Sequence, residues 1–438
     1  MSAFDFSPRL RALHPRKSAV LSALDVGGSK VVCLIARLLP MERGATLRGR
    51  THRCKVLGLG QQRSRGVRGG AIVDLEAAES AIRLAVDAAE RMAGVEVESV
   101  IANMSGGRLH SRLHAARIAT RGAAIGETEV QRVLEAAAHA GADPARAALH
   151  MIPKTFSLDG QRGVADPRGM LGEALDAELC VSSCDASVAR NLMLAIERCH
   201  LRVAAIVASP YAAGLSTLVD DEAELGAALI DFGGVTTTLA AFANDRLTHV
   251  DALPVGGHHV TMDVARGLSV SLADAERLKT LYGACLPASS DDRETISIHR
   301  VGDDMDRPTY VAKSELTRII RPRVEEILEL ARDRLMAAGL AAHVARRLVL
   351  TGGASQLNGL AELARAIVSP QARMGRPLGV EGLPESAKSP AFATSVGLMV
   401  YPQAAALEHV GAKGAAIRDD AEDDGYVGRV RRWLKQSF

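Results

Sequence analysis

Leu24-Asp-Val-Gly-Gly-Ser-Lys30 lies between two apolar segments, and Leu229-Ile-Asp-Phe-Gly-Gly-Val-Thr-Thr-Thr238 repeats its plan. In each, an apolar strand ends at an aspartate, a glycine turn follows, then hydroxyl residues and a second apolar strand. Phosphate is held well by backbone N–H groups, and glycine lets a chain come close enough in the required conformations. A single Gly-Gly turn is routine in hairpins. Here a third, Thr351-Gly-Gly-Ala-Ser355, follows the strand Arg347 to Leu350 and leads into a helix. The spacing predicts two aspartates, Asp25 and Asp231, facing each other across a cleft where they hold Mg²⁺ through water, as hard oxygen ligands suit a phosphate-bound cation. Gly352 and Gly353 are expected to close the cleft over base and ribose.

Working outward, Ala19 to Ile35 reads as a hairpin and Lys55 to Leu59 as a third strand. A helix follows from Asp74, its N-cap, with Leu75, Ala78, Ile82, Val86 and Ala89 on one face and Gly94 as its stop. From Glu98 to Cys180 the texture changes: short alternating strands (Val100 to Met104, His110 to Ile118), a helix opened by a Thr128/Gln131 capping box, and a Gly/Pro-rich connection over 159–172. This predicts a small inserted α+β subdomain. The α/β pattern resumes at Asp185, the expected cap of a helix carrying Val188, Leu192 and Ile196, followed by the strand Val203 to Val207. After the second Asp-Gly turn come helices near 260–267 and 272–283, an excursion rich in Asp291, Asp292, Asp303, Asp304 and Asp306, and a long helix from Ser314 to about Gly339 that Pro322 should break or kink.

Composition narrows the class. The chain has 438 residues, 47% hydrophobic and 24% charged, which excludes a mainly disordered or collagen-like protein. A net charge of +2 excludes a nucleic-acid sheath and leaves electrostatics local. The six cysteines (33, 54, 180, 184, 199, 285) form no metal-binding pattern and read as buried small hydrophobes in a reducing compartment. The N-terminus lacks the apolar core of a signal peptide, and the uncharged run 203–219 is 17 residues against the ~20 needed to span a bilayer. The adjacent His258 and His259 read as surface or cap residues, because neighbours on a helix point apart.

The C-terminal end is different. Acidic residues crowd 411–424, as in a flexible tether. In 425–438, Val427, Val430, Leu434 and Phe438 fall at helical spacing, flanked by Tyr426 and Trp433, and Arg429, Arg431, Arg432 and Lys435 occupy the remainder. A helix of that length spans ~21 Å, too short to cross a ~30 Å hydrocarbon core but suited to lie in the interface. An anionic membrane surface is the expected partner, with the chain peripheral to it.

With these residues assembled, the chain resembles the actin/Hsp70/hexokinase ATPase superfamily and, within it, the bacterial cell-division FtsA family, over nearly all of 18–438. The stretches that carry the resemblance are Leu24 to Lys30, Ala195-Ile-Glu-Arg-Cys199, Glu224-Leu-Gly226, Leu229 to Gly234, Asp274-Ala-Glu276 with Lys279, Arg321-Pro-Arg323, and Leu348 to Ala354. It implies an actin-like two-lobed α/β ATPase fold, built of duplicated ribonuclease H-like domains with the insert between the two phosphate loops. The expected units are a flexible N-terminus (1–17), the first lobe (18–97), the insert (98–180), the first lobe continued (181–225), the second lobe (226–405), an acidic linker (406–424) and a membrane-binding helix (425–438).

The resemblance further implies an ATP and Mg²⁺ site. Asp25, Gly27, Gly28, Ser29 and Lys30 would form one phosphate loop, and Asp231, Gly233, Gly234, Thr236 and Thr237 the other. Glu276 and Lys279 would stand at the ribose or base edge, with Gly352 and Gly353 beside the adenosine. Two positions depart from the family pattern: Gly28, where a Thr is usual, and Val235, where a third Gly is usual. A branched residue there restricts φ and crowds the γ-phosphate, so the expectation is nucleotide binding with little or no hydrolysis. The implied role is a division scaffold that polymerises at the cytoplasmic face of the inner membrane, anchors the C-terminal tail of FtsZ through Arg318, Arg323 and Glu326, and recruits other division proteins. The alternatives are a small-molecule kinase of the same superfamily, which needs a catalytic Asp that no spacing singles out, and an Hsp70-like chaperone. For the chaperone, the 85 residues after Gly353 hold no β-rich substrate domain.

Overall fold

The computed structural model describes residues 10, 13–14, 16–41, 50–302, 309–405 and 408. Apart from Glu408, the acidic linker read at 406–424 lies outside the described residues, as do the amphipathic segment read at 425–438 and nearly all of 1–15.

The chain opens with β1 (Ala19–Val26), β2 (Lys30–Pro40), β3 (His52–Arg63), the short pair β4 (Val67–Arg68) and β5 (Ala71–Ile72), then α1 (Leu75–Ala93) and β6 (Ser99–Met104). The next block holds β7 (His110–Ala119), α2 (Glu127–Ala140), β8 (Arg146–Leu158), β9 (Gln161–Val164) and β10 (Ala174–Asp185). Then come α3 (Ala186–Glu197), β11 (Arg202–Ala208), α4 (Ser209–Thr217) and α5 (Asp220–Leu225). The following stretch contains β12 (Ala227–Phe232), β13 (Thr237–Ala243), β14 (Arg246–Leu253), α6 (Gly257–Leu268), α7 (Leu272–Tyr282), β15 (Thr295–Ile298), β16 (Thr309–Ala312) and α8 (Lys313–Ala337). Finally there are α9 (Ala341–Arg346), β17 (Leu348–Thr351), α10 (Leu360–Ile367), β18 (Ala372–Met374), β19 (Val380–Glu381) and α11 (Ala393–Ala404).

Two sheets repeat one topology. In the first the order is β11-β6-β1-β2-β3, and in the second it is β18-β17-β12-β13-β14. In both, the strand that carries the aspartate pairs antiparallel with its successor and parallel with a later strand. The internal echo of the sequence is therefore a duplicated βββ unit with crossover strands. Each copy has its own core, one built on Leu24, Val32, Leu34 and Ile101, the other on Ile230, Phe232, Leu239 and Leu350.

α1 behaves as its sequence requires: Asp74 accepts from the Ala77 N–H at 3.1 Å, and Gly94 ends the helix in the left-handed region at φ 67°. Elsewhere the local signals are redirected. α2 starts one residue before Thr128, and its cap bond runs from the Gly126 N–H to Glu129 Oε2 at 3.0 Å. Asp185 precedes α3 without capping it, because its carboxylate takes Arg108 at 2.9 Å and Arg146 at 3.2 Å. α8 runs through Pro322 as one helix. Its apolar face, Leu316, Ile320, Val324, Ile327, Leu328, Ala331 and Leu335, is buried in the second core and holds it in place.

Long-range pairing departs from the sequence reading in two places and adds a join that the sequence does not show. β6, read from sequence as part of the insert, lies in the first sheet between β1 and β11. The remaining insert strands, in the order β7-β10-β8-β9 with α2 packed on them, continue the second sheet across the β14–β7 pair Asp251↔His110. The chain beyond 379, assigned by sequence to the second lobe, returns to the first. β19 pairs with β3, and Val396, Leu398, Met399 and Tyr401 of α11 enter the first core. All six cysteines are free thiols, buried except for half-buried Cys199, and burial pushes those of Cys33 and Cys54 up to about 12. They are inert small hydrophobes.

Candidate nucleotide site

The duplicated turns face each other across a cleft of about 1110 Å³. Each turn is closed by the same bond: the Gly27 N–H donates to the Lys30 carbonyl at 3.0 Å, and the Gly233 N–H to the Thr236 carbonyl at 3.0 Å. The aspartate stands two residues before the donating glycine in both. Asn103, at the C-terminal end of β6, locks the first turn by accepting from the Val26 N–H at 2.7 Å and donating to Ser209 Oγ at 3.0 Å. The second turn is backed by the N-terminus of α6, whose Gly257 and His258 N–H groups donate to the Gly233 and Gly234 carbonyls at 3.0 and 2.6 Å.

The charged centre lies at the bottom of the cleft. Asp25 and Asp231 are both buried. Asp25 Oδ2 accepts from Ser395 Oγ at 2.6 Å, and Asp231 Oδ2 from Thr394 Oγ1 at 3.1 Å. Lys30 places its ammonium 3.3 Å from the centroid of the Phe392 ring. Residues 392, 394 and 395 at the start of α11 thus touch all three charged groups, the two aspartates and Lys30. Sequence reading missed this segment, which carries no glycine turn; its only local signal is a Ser-Pro helix start at 389–390 with hydroxyls downstream. Each carboxylate keeps a second oxygen outside these bonds.

Burial sets the electrostatics. It pushes the Asp231 carboxyl up to about 7, aided by the neighbouring Asp25, while Thr394 and Lys30 pull the other way. Asp25 is raised for the same first reason. Lys30 is pushed down to about 8 by burial, against the attraction of Asp25 and then Asp231. A carboxyl raised from 3.8 to about 7 binds its proton more tightly in the folded than in the unfolded chain. Its contribution to stability is complete below about pH 4 and is lost as pH rises toward 7. In denaturant titrations without nucleotide, the stability of the wild type should fall between pH 5 and pH 7 by an amount on the order of 2 kcal/mol from this group. Asp231→Asn should remove that part of the slope; an unaltered slope would contradict the assignment.

Other sequence-predicted residues fall around this centre. Gly28, Ser29, Gly233, Gly234, Thr236, Glu276, Lys279, Gly352 and Gly353 line the cleft. Gly352 has φ 87°, and a Cβ there would lie 2.3 Å from Asp231 Oδ1, so only glycine lets this backbone approach the carboxylate. Lys279 donates to Glu276 Oε2 at 2.8 Å, to Thr261 Oγ1 at 2.8 Å and to the Gly257 carbonyl at 3.1 Å. Burial pushes the Glu276 carboxyl up, but the bonds from Lys279 and Thr261 outweigh it and hold the group below its ordinary value.

Thr237 is the exception. Strand alternation turns it away from the cleft, where its hydroxyl donates to the Val255 carbonyl at 2.8 Å, and Thr238 lines the cleft instead. His259 is a cap residue, its Nδ1 accepting from the Gly256 N–H at 3.1 Å. Arg323 is engaged within the fold, donating to Asp263 of α6 at 2.6 Å and pairing with Glu326 one turn on. Arg318 and Glu326 are exposed on the same helix. Among the described residues no group of three or more His, Cys, Asp or Glu side chains is placed to hold a metal, and no helix is long and apolar enough to cross a membrane.

Two βββ units with facing Asp-Gly turns define an actin-like fold, and solved structures agree on that architecture. The PilM–PilN type IV pilus biogenesis complex is similar with a TM-score of 0.60 at 16% identity, covering 87% of this chain and 98% of that one. MreB5 of Spiroplasma citri, solved bound to ADP, gives 0.50 at 14%, covering 89% and 97%.

Sequence comparison is more specific. The family model described as cell division protein FtsA matches residues 228–397, and the one described as the SHS2 domain inserted in FtsA matches 106–183. Over 432 residues the chain is 50% identical to the cell division protein FtsA of Rhizobium meliloti, covering 98% of both chains. It is 29% identical to that of Escherichia coli K12 over 422 residues, covering 95% of this chain and 97% of the other. The chain belongs to the FtsA family of cell division proteins.

Proposed function

We propose that the protein is an adenine-nucleotide-binding scaffold of the division machinery, assembling as an actin-like filament on the cytoplasmic face of the inner membrane. The observation that carries this reading is the pair of identically closed Asp-Gly turns facing each other over Lys30. Their free N–H groups and the ammonium suit a polyphosphate. Asp25 and Asp231 offer the oxygen donors that Mg²⁺ prefers, and the bound ion would neutralise phosphate charge. Gly352, Gly353, Glu276 and Lys279 form the wall suited to base and ribose.

Filament assembly, anchoring of the FtsZ C-terminal tail and recruitment of later division proteins complete the proposal, on the strength of family membership. For the FtsZ tail, the exposed Arg318 and Glu326 of α8 remain the proposed contacts. Arg323, tied to Asp263, would shape that face from beneath.

Membrane attachment is assigned to 425–438. Four cations at ~1 kcal/mol each near an anionic leaflet, together with Trp433, Leu434, Val430 and Phe438, give reversible binding. Co-sedimentation with vesicles containing phosphatidylglycerol tests it. The full chain should pellet, and a chain ending at Gly425 should stay in solution with unchanged circular dichroism. Equal pelleting of the two would refute the membrane role.

A further inference from the structure

We infer that Val235 is a specificity residue: its isopropyl group, seated in the notch left by Gly28, closes the gap between the two phosphate loops and makes the cleft favour a nucleoside diphosphate over a triphosphate. The inference rests on the nucleotide reading above and adds to it a discrimination set by one contact.

Gly28 does not occupy the left-handed region, so its backbone does not require glycine. What excludes a side chain there is the opposite loop. A Cβ on Gly28 would lie 2.1 Å from Val235 Cγ2, 2.6 Å from Cγ1 and 2.9 Å from its Cβ. One residue further along, a Cβ on Gly234 would lie 3.0 Å from Ser29 Cβ. The loops therefore touch at two adjacent points, 28 against 235 and 29 against 234.

The two loops are thus reciprocal in volume: the loop that lacks a side chain at 28 receives the one that the other loop carries at 235. A gap that does not admit a methyl group does not admit a phosphoryl group. A terminal phosphate passing between the loops must turn Val235 out or part the lobes. Valine is stiff at χ1 and offers the phosphate no donor, so either route carries a cost that a diphosphate stopping short of this point does not incur.

Four full-length proteins test this: wild type, Val235→Gly, Gly28→Thr and the double variant, with Val235→Ala held as a milder replacement should Val235→Gly fail to fold. Calorimetric titration with Mg·ADP and with a non-hydrolysable Mg·ATP analogue reads the discrimination. Val235→Gly should raise the affinity for the triphosphate relative to the diphosphate by about tenfold. Denaturant titration without nucleotide reads the contact itself: Gly28→Thr should be less stable than wild type, and the double variant should regain most of the loss.

Wild-type binding with an unchanged ratio in Val235→Gly overturns the specificity assignment and leaves the nucleotide reading standing. Binding of neither nucleotide by the wild type overturns both. A double variant no more stable than Gly28→Thr overturns the contact on which the assignment stands.

Discussion

Lys30→Met should lower the affinity for Mg·ATP and Mg·ADP by about 100-fold or more, the loss expected when one member of a buried charge cluster is removed and its partners stay. Both Asp25 and Asp231 act electrostatically on this ammonium, which lies over the Phe392 ring. Without it, a polyphosphate beside the two buried carboxylates would lose a cationic side chain and depend more heavily on Mg²⁺ for its counter-charge. Its pH signature is distinctive. With Lys30 pushed down to about 8, wild-type affinity should decline as pH rises through that value, because the ammonium loses its proton. The variant should lack that decline. Calorimetric titrations at pH 7 and pH 9 check both statements, and unchanged affinity in the variant would remove Lys30 from the site.

Glu408→Ala should destabilise the fold by about 3 kcal/mol, and His150→Ala by at least as much, because either change leaves one half of a buried pair without its partner. Both side chains are inaccessible to solvent. The proton position follows from the bonding: His150 Nε2 accepts from the Ala208 N–H at 2.9 Å, so Nδ1 carries the hydrogen and donates to Glu408, whose two oxygens lie at 3.1 Å. Tyr211 and Tyr401 enclose the ring edge-on at centroid distances of 4.9 and 5.7 Å. The pair thus joins β8 of the insert to the first lobe and to the chain that leaves α11. Glu408→Gln, which keeps an acceptor, should lose less than Glu408→Ala. Denaturant midpoints rank the three, and a midpoint for Glu408→Ala equal to wild type would show the pair to be dispensable.

What could be read in the sequence was what local chemistry dictates. The two Asp-Gly turns stand out because a phosphate-binding turn needs glycine at a fixed offset from a strand end, and α1 because its cap, period and stop agree. What could not be read was pairing over distance. Nothing within Ser99–Met104 says that β6 joins β1, and nothing in Val380–Glu381 says that the chain recrosses to β3. The same limit hid Thr394 and Ser395, whose partners lie 163 and 370 residues away in the chain. Consecutive hydroxyls at 236–238 do not show which of them faces the cleft, and strand alternation turns Thr237 away and Thr238 inward. The departures at 28 and 235 looked independent because their contact exists only once the lobes face each other.

Facing turns that clamp a nucleotide must bind one in solution. Titration calorimetry of the full-length wild type at pH 7 with Mg²⁺ and either ADP or ATP is the direct measurement. It should give a saturable isotherm with one nucleotide bound per chain. Heat no greater than that of dilution for both nucleotides at millimolar concentration would contradict it.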